Sequence, residues 1–323
     1  MLVYFIRRLF QAFLVLLIVM LITFTLPYFQ THGILGPAYA SLGVKSTPSN
    51  VAIWGLQHGM DHPFIVRFWT FLTQVFLHFN LGNSYKLNMS VWQAITLYVP
   101  RTIWLAFFSL LLTLFIAVPL GMFQALHRNS VSDYVATGSS FILYAVPLFL
   151  LCMLSIEFLS FHTLHLPSSP PQGVAPWAIF TDPKGFILPV GCLTLASVAG
   201  ISSFMRSPIL EVMVQDYIRT AKAKGCSTRR IVLRHAFRNA LGPVVVILGL
   251  YLPALIGGAL IVENVFNYAG LGLETVNAAN NLDLPIVLGI TFFVAILTVM
   301  GNLFADIALG LINPRIRLEG PGR

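Results

Sequence analysis

Charged side chains are scarce in this sequence of 323 residues: Asp, Glu, Lys and Arg make up 9% of it, whereas 57% is hydrophobic. A soluble domain averages about 25% charged residues. A chain so poor in charge cannot enclose its apolar side chains in one water-surrounded core. The composition therefore excludes an ordinary soluble domain and predicts a protein whose solvent is the lipid bilayer.

Cysteines and catalytic motifs are also few. Cys152, Cys192 and Cys226 form no CxxC pair and no metal-binding spacing, which predicts free thiols. The sequence contains no GxxxxGK[ST] phosphate loop, no GxSxG elbow and no HExxH motif. We therefore expect no catalytic residue, no metal site and no bound cofactor in this chain, and no hydrolysis of ATP or peptides by it.

Two histidines give the one metal-like spacing. His162 and His165 lie three residues apart, a separation that could ligate a metal ion. No carboxylate or cysteine stands beside them in our interpretation of the sequence. We therefore expect two solvated loop histidines rather than a metal site.

Long apolar runs dominate what the sequence does contain. A membrane-spanning helix needs about 20 mostly apolar residues, and lipid forces such segments to be helical. Six segments qualify, at about 9–29, 102–126, 135–158, 186–205, 243–266 and 286–309. The sequence thus predicts an all-α, polytopic integral membrane protein with six transmembrane helices, in which residues 1–323 form a single transmembrane domain.

The first apolar run has features of a signal peptide. Arg7 and Arg8 precede it, and Ala38–Ala40 resembles a cleavage box. The run is nevertheless longer than the h-region of about 7–15 residues in a signal peptide, and the box lies well beyond its end. We expect an uncleaved membrane anchor.

The basic residues predict the orientation of the spans, because cytoplasmic loops are enriched in Lys and Arg. Fourteen of the 19 basic residues fall on the side of the N-terminus and five on the other. Both termini are therefore predicted to be cytoplasmic. The segments 30–100 and 159–185 would face outward, and residues 65–79 of the first read as an interfacial helix.

The largest predicted cytoplasmic loop, about 206–242, collects much of the charge. Helical periodicity over 211–224 places Val214, Tyr217, Ile218 and Ala221 on one face. Gly225 can stop this helix, and Ser227 can begin a second one. The loop could rest on anionic lipid or dock a soluble partner, and composition alone does not separate these alternatives. Nucleic acid is disfavoured because no aromatic platform or recognition module accompanies the charge.

Residues 217–225, YIRTAKAKG, resemble the EAA loop of ATP-binding-cassette importer permeases, in particular the dipeptide/oligopeptide branch. Further segments resemble that branch in the same order along nearly the whole chain. They are GMDHP at 59–63, LGNS at 81–84, PLG at 119–121, ENVF at 263–266 with GLG at 270–272, and NLDLP at 281–285 in place of R-D-x-P. Ala269 and Asn80 depart from the pattern, on the predicted outer side.

The resemblance implies a type I ABC importer fold and a coupling loop that docks on an ATPase subunit. The residues that match this loop are Tyr217, Arg219, Thr220, Ala221, Ala223, Lys224, Gly225, Ile231, His235 and Asn239. It also implies four kinds of partner: a second homologous permease in a heterodimer, two ATPase subunits that hold ATP and Mg, an extracytoplasmic substrate-binding protein, and the lipid of a bacterial cytoplasmic membrane. The implied cargo is short peptides, with nickel chelates, glutathione or glycosides as alternatives.

Several residues inside the spans could line the transport path. Pro147 predicts irregular helix in the third span. Pro253, Gly257 and Gly258 predict irregular helix in the fifth span, which transporters use at substrate paths. Glu263 and Asp306 are acids in or near spans, and such acids are commonly functional or hydrogen-bonded. We expect structural partners for both, with Glu263 near the outer membrane interface. They are too scattered to form a proton relay, which disfavours a stand-alone secondary transporter. A lipid-binding membrane scaffold is the other alternative.

Overall fold

The computed structural model describes residues 2–29, 35–43, 46–171, 175, 177–231, 237, 257 and 259–312. Every described element is helical, apart from one isolated bridge between Asn83 and Ser90. The chain divides into two compact units, one of Met1–Thr102 with Ala269–Val299 and one of Ile103–Tyr268 with Met300–Arg323. The expectation of a single permease domain stays a prediction.

The first unit starts with the helix α1 (Leu2–Thr25), which a 3-10 turn extends to Phe29. Three shorter helices follow, α2 (Gly36–Leu42), α3 (Pro48–Gln57) and α4 (Phe64–His78). The predicted interfacial helix at 65–79 is confirmed as a helix by α4. The cleavage-like box at 38–40 lies inside α2, where Ala38 is fully buried.

The helix α5 (Val91–Leu126) ends where the second predicted span ends but begins well before residue 102. The second predicted span begins directly after Pro100 and Arg101. A proline inside a helix costs about 3 kcal/mol, so packing has to offset it. Val91, Ala94 and Ile95 are buried in the core of the first unit, and this burial extends the helix across Pro100.

The third predicted span, 135–158, is not one straight helix. α6 (Val131–Ala145) and α7 (Leu148–Ser155), which a π-helical segment continues through Ile156–Thr163, are bent by 98°. Pro147 lacks an N–H and forces the residue before it out of the helical region. Val146 accordingly has φ −73° and ψ 122°. The helix irregularity expected at Pro147 in the third span is confirmed.

The second unit continues through the short helix α8 (Ala178–Thr181) and a 3-10 turn at Pro183–Phe186 into α9 (Ile187–Met213). α9 passes through Pro208 and outlasts the fourth predicted span by two turns. α10 (Asp216–Ala223) and α11 (Thr228–Ile231) follow. Residues 259–265 form α12. α13 (Leu271–Asn280) and the part of α14 (Leu284–Ile312) up to Val299 belong to the first unit, and the rest of α14 belongs to the second.

Four described helices are long and apolar enough to cross a membrane, and the bent pair brings the number to five. They contain Ile6–Thr25, Val91–Leu126, Pro183–Met213 and Leu284–Phe304. Large apolar side chains on these helices point outward, and Phe115 is 79% exposed. Lipid is the medium that such a surface requires. Most of the fifth predicted span, 243–266, lies outside the described residues.

Candidate functional site

The basic segment of the predicted coupling loop is held in place by a small apolar cluster. Ile218 and Ile231 are completely buried, and Ala221 joins them. Val212 and Met213, at the end of α9, pack on the same cluster. Two residues of the predicted docking set, Ala221 and Ile231, therefore support the segment from inside rather than face a partner.

The predicted helix over 211–224 is wrong in its first half. α9 ends at Met213, and Gln215 adopts extended backbone with φ −69° and ψ 150° before α10 begins at Asp216. Val214 and Tyr217, expected on the apolar face, are 64% and 44% exposed. The break rotates α10 so that Ile218 and Ala221, rather than all four residues, reach the cluster.

Gly225 ends α10 as the sequence predicts. Its φ is +75°, a left-handed conformation that glycine adopts without steric cost. The Cys226 N–H donates to the Ala221 carbonyl at 3.1 Å, and the Gly225 N–H donates to the Lys222 carbonyl at 2.9 Å. These two bonds make a Schellman motif, which Cys226 completes by packing on the apolar cluster.

The outward face of α10 is polar and basic. Arg219, Thr220, Lys222, Ala223 and Lys224 are all exposed. An ion pair on this face joins Arg219 to Asp216 at 3.5 Å, with both side chains largely in solvent. Pairs of this kind contribute about 0–1 kcal/mol. The segment therefore presents a rigid helix whose charges are available to a partner surface.

A buried ion pair that we did not predict lies close to this segment. Nη2 of Arg206, on α9, is 2.7 Å from Oδ2 of Asp133, in the first turn of α6. Asp133 is 2% exposed, and its carboxylate also accepts the Asn129 N–H and the Thr137 hydroxyl. The one signal in the sequence was a Ser130–Asp133 helix start, which gives no indication of a partner 73 residues away.

Gly121 permits α5 and α9 to approach closely. A Cβ at this position would lie 2.5 Å from the Ser202 carbonyl oxygen and 2.8 Å from the Met205 Cβ. Only glycine leaves room for that backbone. The motif 119–121, which looked like the end of a span, therefore marks a helix crossing inside the second unit.

In the first unit, two of the family-like motifs bind each other. The Ser84 hydroxyl, from LGNS, donates to the Asp283 carboxylate, from NLDLP. The backbone N–H groups of Tyr85 and Lys86 donate to the same carboxylate at 3.1 and 3.2 Å. The two motifs are therefore one structural element, far apart in sequence.

The remaining candidates fall in three groups. Glu263 is completely buried in α12, and its expected place near the outer membrane interface and its structural role both stay predictions. Gly257 is helical and a Cβ there would meet no atom within 4 Å. Asp306 lies in α14. His235, Asn239, Pro253, Gly258 and the side chain of Asp306 lie outside the described residues.

The histidine pair differs from expectation in one respect. Nε2 of His162 lies 2.9 Å from Oε1 of Glu157, so a carboxylate does stand beside it. The π-helical turn at 156–163 brings the two side chains together across five residues. Within the described residues, no group of three or more His, Cys, Asp or Glu could hold a metal ion. Cys152, Cys192 and Cys226 are free thiols, as predicted.

The apolar helices and the bent span define a multi-pass membrane protein. Residues 117–318 match the family described as "Binding-protein-dependent transport system inner membrane component", and residues 1–106 match the N-terminal part of such membrane components. The chain therefore belongs to the family of binding-protein-dependent transport system inner membrane components.

Relatives agree with this assignment. The chain is 36% identical over 262 residues to the oligopeptide transport system permease protein AppB of Bacillus subtilis, covering 80% of this chain and 83% of that one. It is 34% identical over 317 residues to a putative peptide transport system permease protein of Brucella abortus, covering 97% and 98%. It is 31% identical over 264 residues to the dipeptide transport system permease protein DppB of B. subtilis, covering 81% and 82%.

A solved structure shares the fold. A chain of the inward-facing MetNI methionine ABC transporter superimposes with a TM-score of 0.51 at 18% identity, covering 69% of this chain and 94% of that chain. The all-helical fold of an ABC importer permease, predicted from the sequence, is confirmed.

Proposed function

We propose that this chain is a permease subunit of an ATP-driven importer that moves short peptides across a bacterial cytoplasmic membrane. The observation that carries the proposal is the set of relatives named as oligopeptide, dipeptide and peptide permeases, which align over at least four fifths of the chain. Nickel chelates, glutathione and glycosides remain outcomes of the test below.

The proposed complex contains a second homologous permease, two ATPase subunits and an extracytoplasmic binding protein. The description of the family, which makes transport dependent on a binding protein, supports the last of these. ATP and Mg would bind in the ATPase subunits, and this chain would hold no cofactor. Both termini and the 206–242 loop would be cytoplasmic, as the distribution of basic residues favours.

In the proposed mechanism, α10 transmits motion from the ATPase subunits to the membrane helices. An ATPase surface that holds the exposed face of α10 would move this helix when the two ATPases close on ATP. Because Ile218 and Ile231 pack on Val212 and Met213, the motion would reach the end of α9 through these side-chain contacts. α9 is a candidate membrane span, so its displacement would switch the substrate path between outward and inward access.

The test is transport in proteoliposomes that contain this chain with its partner permease, ATPases and binding protein. We expect uptake of a labelled tripeptide with ATP and none with a non-hydrolysable analogue. Uptake of a nickel chelate, glutathione or a glycoside in place of the peptide would change the proposed substrate but would still support ATP-driven import. Peptide uptake that follows a proton gradient without ATP would contradict the proposal.

A further inference from the structure

The first unit contains a pocket of about 400 Å³ that no part of the proposed mechanism uses. Its wall includes parts of three family-like motifs: Gly59, Met60 and His62 of the first, Leu81–Gly82 of the second and Leu284–Pro285 of the third. Small-molecule sites have volumes of about 300–1,000 Å³ and combine an apolar wall with a few convergent polar groups. Phe24, Phe71 and Leu288 supply apolar wall here.

The polar part of the wall is cationic or hydrogen-bond donating. Arg67 lines the pocket with its guanidinium 5.7 Å from the centre of the Phe24 ring and its Nη2 2.9 Å from the Met60 sulfur. His58 and His62 line the same space. None of the described lining residues is acidic. Asp61 lies between the lining residues Met60 and His62 and is exposed. Asp283 accepts hydrogen bonds from the Ser84 hydroxyl and from two backbone N–H groups.

Tyr85 adds a phenol that remains a donor. Its ring lies edge-on to Trp54 and His58, with centroids 5.0 and 5.2 Å away, while Trp54 stacks on His58 at 3.7 Å. Burial raises the pKa of Tyr85 from 10.0 to about 12, although the positive charge of Arg67 opposes the shift. The hydroxyl is therefore protonated at every physiological pH, in a ring position that neighbouring aromatics fix.

We propose that this pocket binds the carboxylate of a small amphipathic ligand through Arg67 and Tyr85, with the apolar wall receiving the rest of the molecule. Resting on the proposed function, the ligand is a short peptide and the bound group is its C-terminal carboxylate. A guanidinium and a phenol hydroxyl are donors that match a carboxylate. Because the segment 30–100, which supplies most of the lining residues, is predicted to face outward, the pocket would receive substrate before it enters the membrane path.

Binding is tested on the complete membrane complex in phosphatidylcholine nanodiscs, without the binding protein, by titration calorimetry. The probes are the tripeptide Ala-Ala-Phe, its C-terminal amide and N-acetylphenylalanine. We expect the amide to bind at least about tenfold more weakly than the acid, the loss that follows from one charge-assisted hydrogen bond. N-acetylphenylalanine, which keeps the carboxylate and lacks the amine, should bind.

Variants assign the effect to the pocket. Arg67→Gln should weaken binding of the acid about tenfold and Tyr85→Phe about fivefold, without changing binding of the amide. Lys86→Gln is the matched control: it removes one positive charge from the same unit, and its Nζ binds the Ala40 carbonyl outside the pocket. It should leave the affinity within about twofold of the parent, as expected of an exposed charge. Tyr85→Phe keeps the test valid if Arg67→Gln does not fold.

Equal affinity for acid and amide, or equal losses from Arg67→Gln and Lys86→Gln, would overturn the proposal. A heat signal that requires phosphatidylglycerol in the nanodisc, with none from the peptide, would assign the pocket to a lipid headgroup instead and also overturn it. Failure of peptide uptake in proteoliposomes would remove the importer proposal, whereas binding of N-acetylphenylalanine would still decide whether the pocket takes a carboxylate.

Discussion

Arg206 on α9 donates to the buried carboxylate of Asp133 on α6 across 2.7 Å, just before α9 leads into the basic segment. Asp133 also receives the N–H of Asn129 and the hydroxyl of Thr137, so each carboxylate oxygen has a partner. The pair fixes α9 against the start of the bent helix pair. Any displacement of the end of α9 would therefore have to strain or break the ion pair between Arg206 and Asp133.

Loss of the buried carboxylate should destabilise the protein. Asp133→Ala leaves the Arg206 guanidinium, which is 29% exposed, without its ion-pair partner. Breaking a fully buried pair costs about 3–5 kcal/mol, and partial exposure of the arginine reduces this to about 1–3 kcal/mol. The thermal midpoint in detergent should fall clearly. Asp216→Ala, which removes the exposed partner of Arg219, should change the thermal midpoint little. Equal shifts of the midpoint in the two variants would contradict a stabilising role of the Arg206–Asp133 ion pair.

The left-handed residue at the end of α10 should resist substitution. Gly225→Ala meets no atom within 4 Å, so its cost is the strain of φ +75°, about 1–2 kcal/mol. We expect a lower stimulation of the ATPase by substrate, since the Schellman motif orients the exposed face. Gly138→Ala is the control, because it also has open space but lies within α6. A control variant as impaired as Gly225→Ala would show that the left-handed conformation is unimportant.

The crossing of α5 and α9 should not tolerate a methyl group. Gly121→Ala places Cβ against the Ser202 carbonyl, a backbone atom that cannot move alone, and overpacking costs about 1–3 kcal/mol. Folded yield and thermal midpoint should both fall. Gly191→Ala, on α9 with no atom within 4 Å, should be neutral. Normal stability of Gly121→Ala would contradict the close approach of α5 and α9 at Gly121.

Stability should decline at alkaline pH because of Tyr85. Its pKa is about 12 in the folded chain and 10.0 ordinarily, so the folded state retains a proton that the unfolded state loses between these values. The contribution is present below pH 10 and disappears as the pH rises towards 12. The thermal midpoint of Tyr85→Phe should fall less over this interval than that of the parent. Tyr134→Phe, at an exposed position, should follow the parent, and identical profiles for all three proteins would refute this assignment.

The sequence predicted what depends on composition and local backbone chemistry. Apolar length placed the spans, and Gly225 and Pro147 marked a helix end and a bend because their effects are confined to neighbouring residues. It did not predict that α5 crosses Pro100, because burial of Val91, Ala94 and Ile95 decides this. Nor did it pair Asp133 with Arg206, or Ser84 with Asp283, since both pairs join residues distant in sequence. Nor did it predict the break at Val214–Gln215, after which Ile218 and Ala221 pack with the distant Ile231.

The most direct test of the central claim is co-purification of the ATPase subunits with Arg219→Glu. Arg219 lies on the exposed face of α10, where its charge contributes little to folding. Arg128→Glu makes the same charge change at an exposed position in another predicted cytoplasmic loop. The account predicts that Arg219→Glu loses bound ATPase and peptide-stimulated ATP hydrolysis while the permease pair stays intact, and that Arg128→Glu keeps both. Full ATPase retention by Arg219→Glu, or equal loss from both variants, would contradict the docking role of this segment.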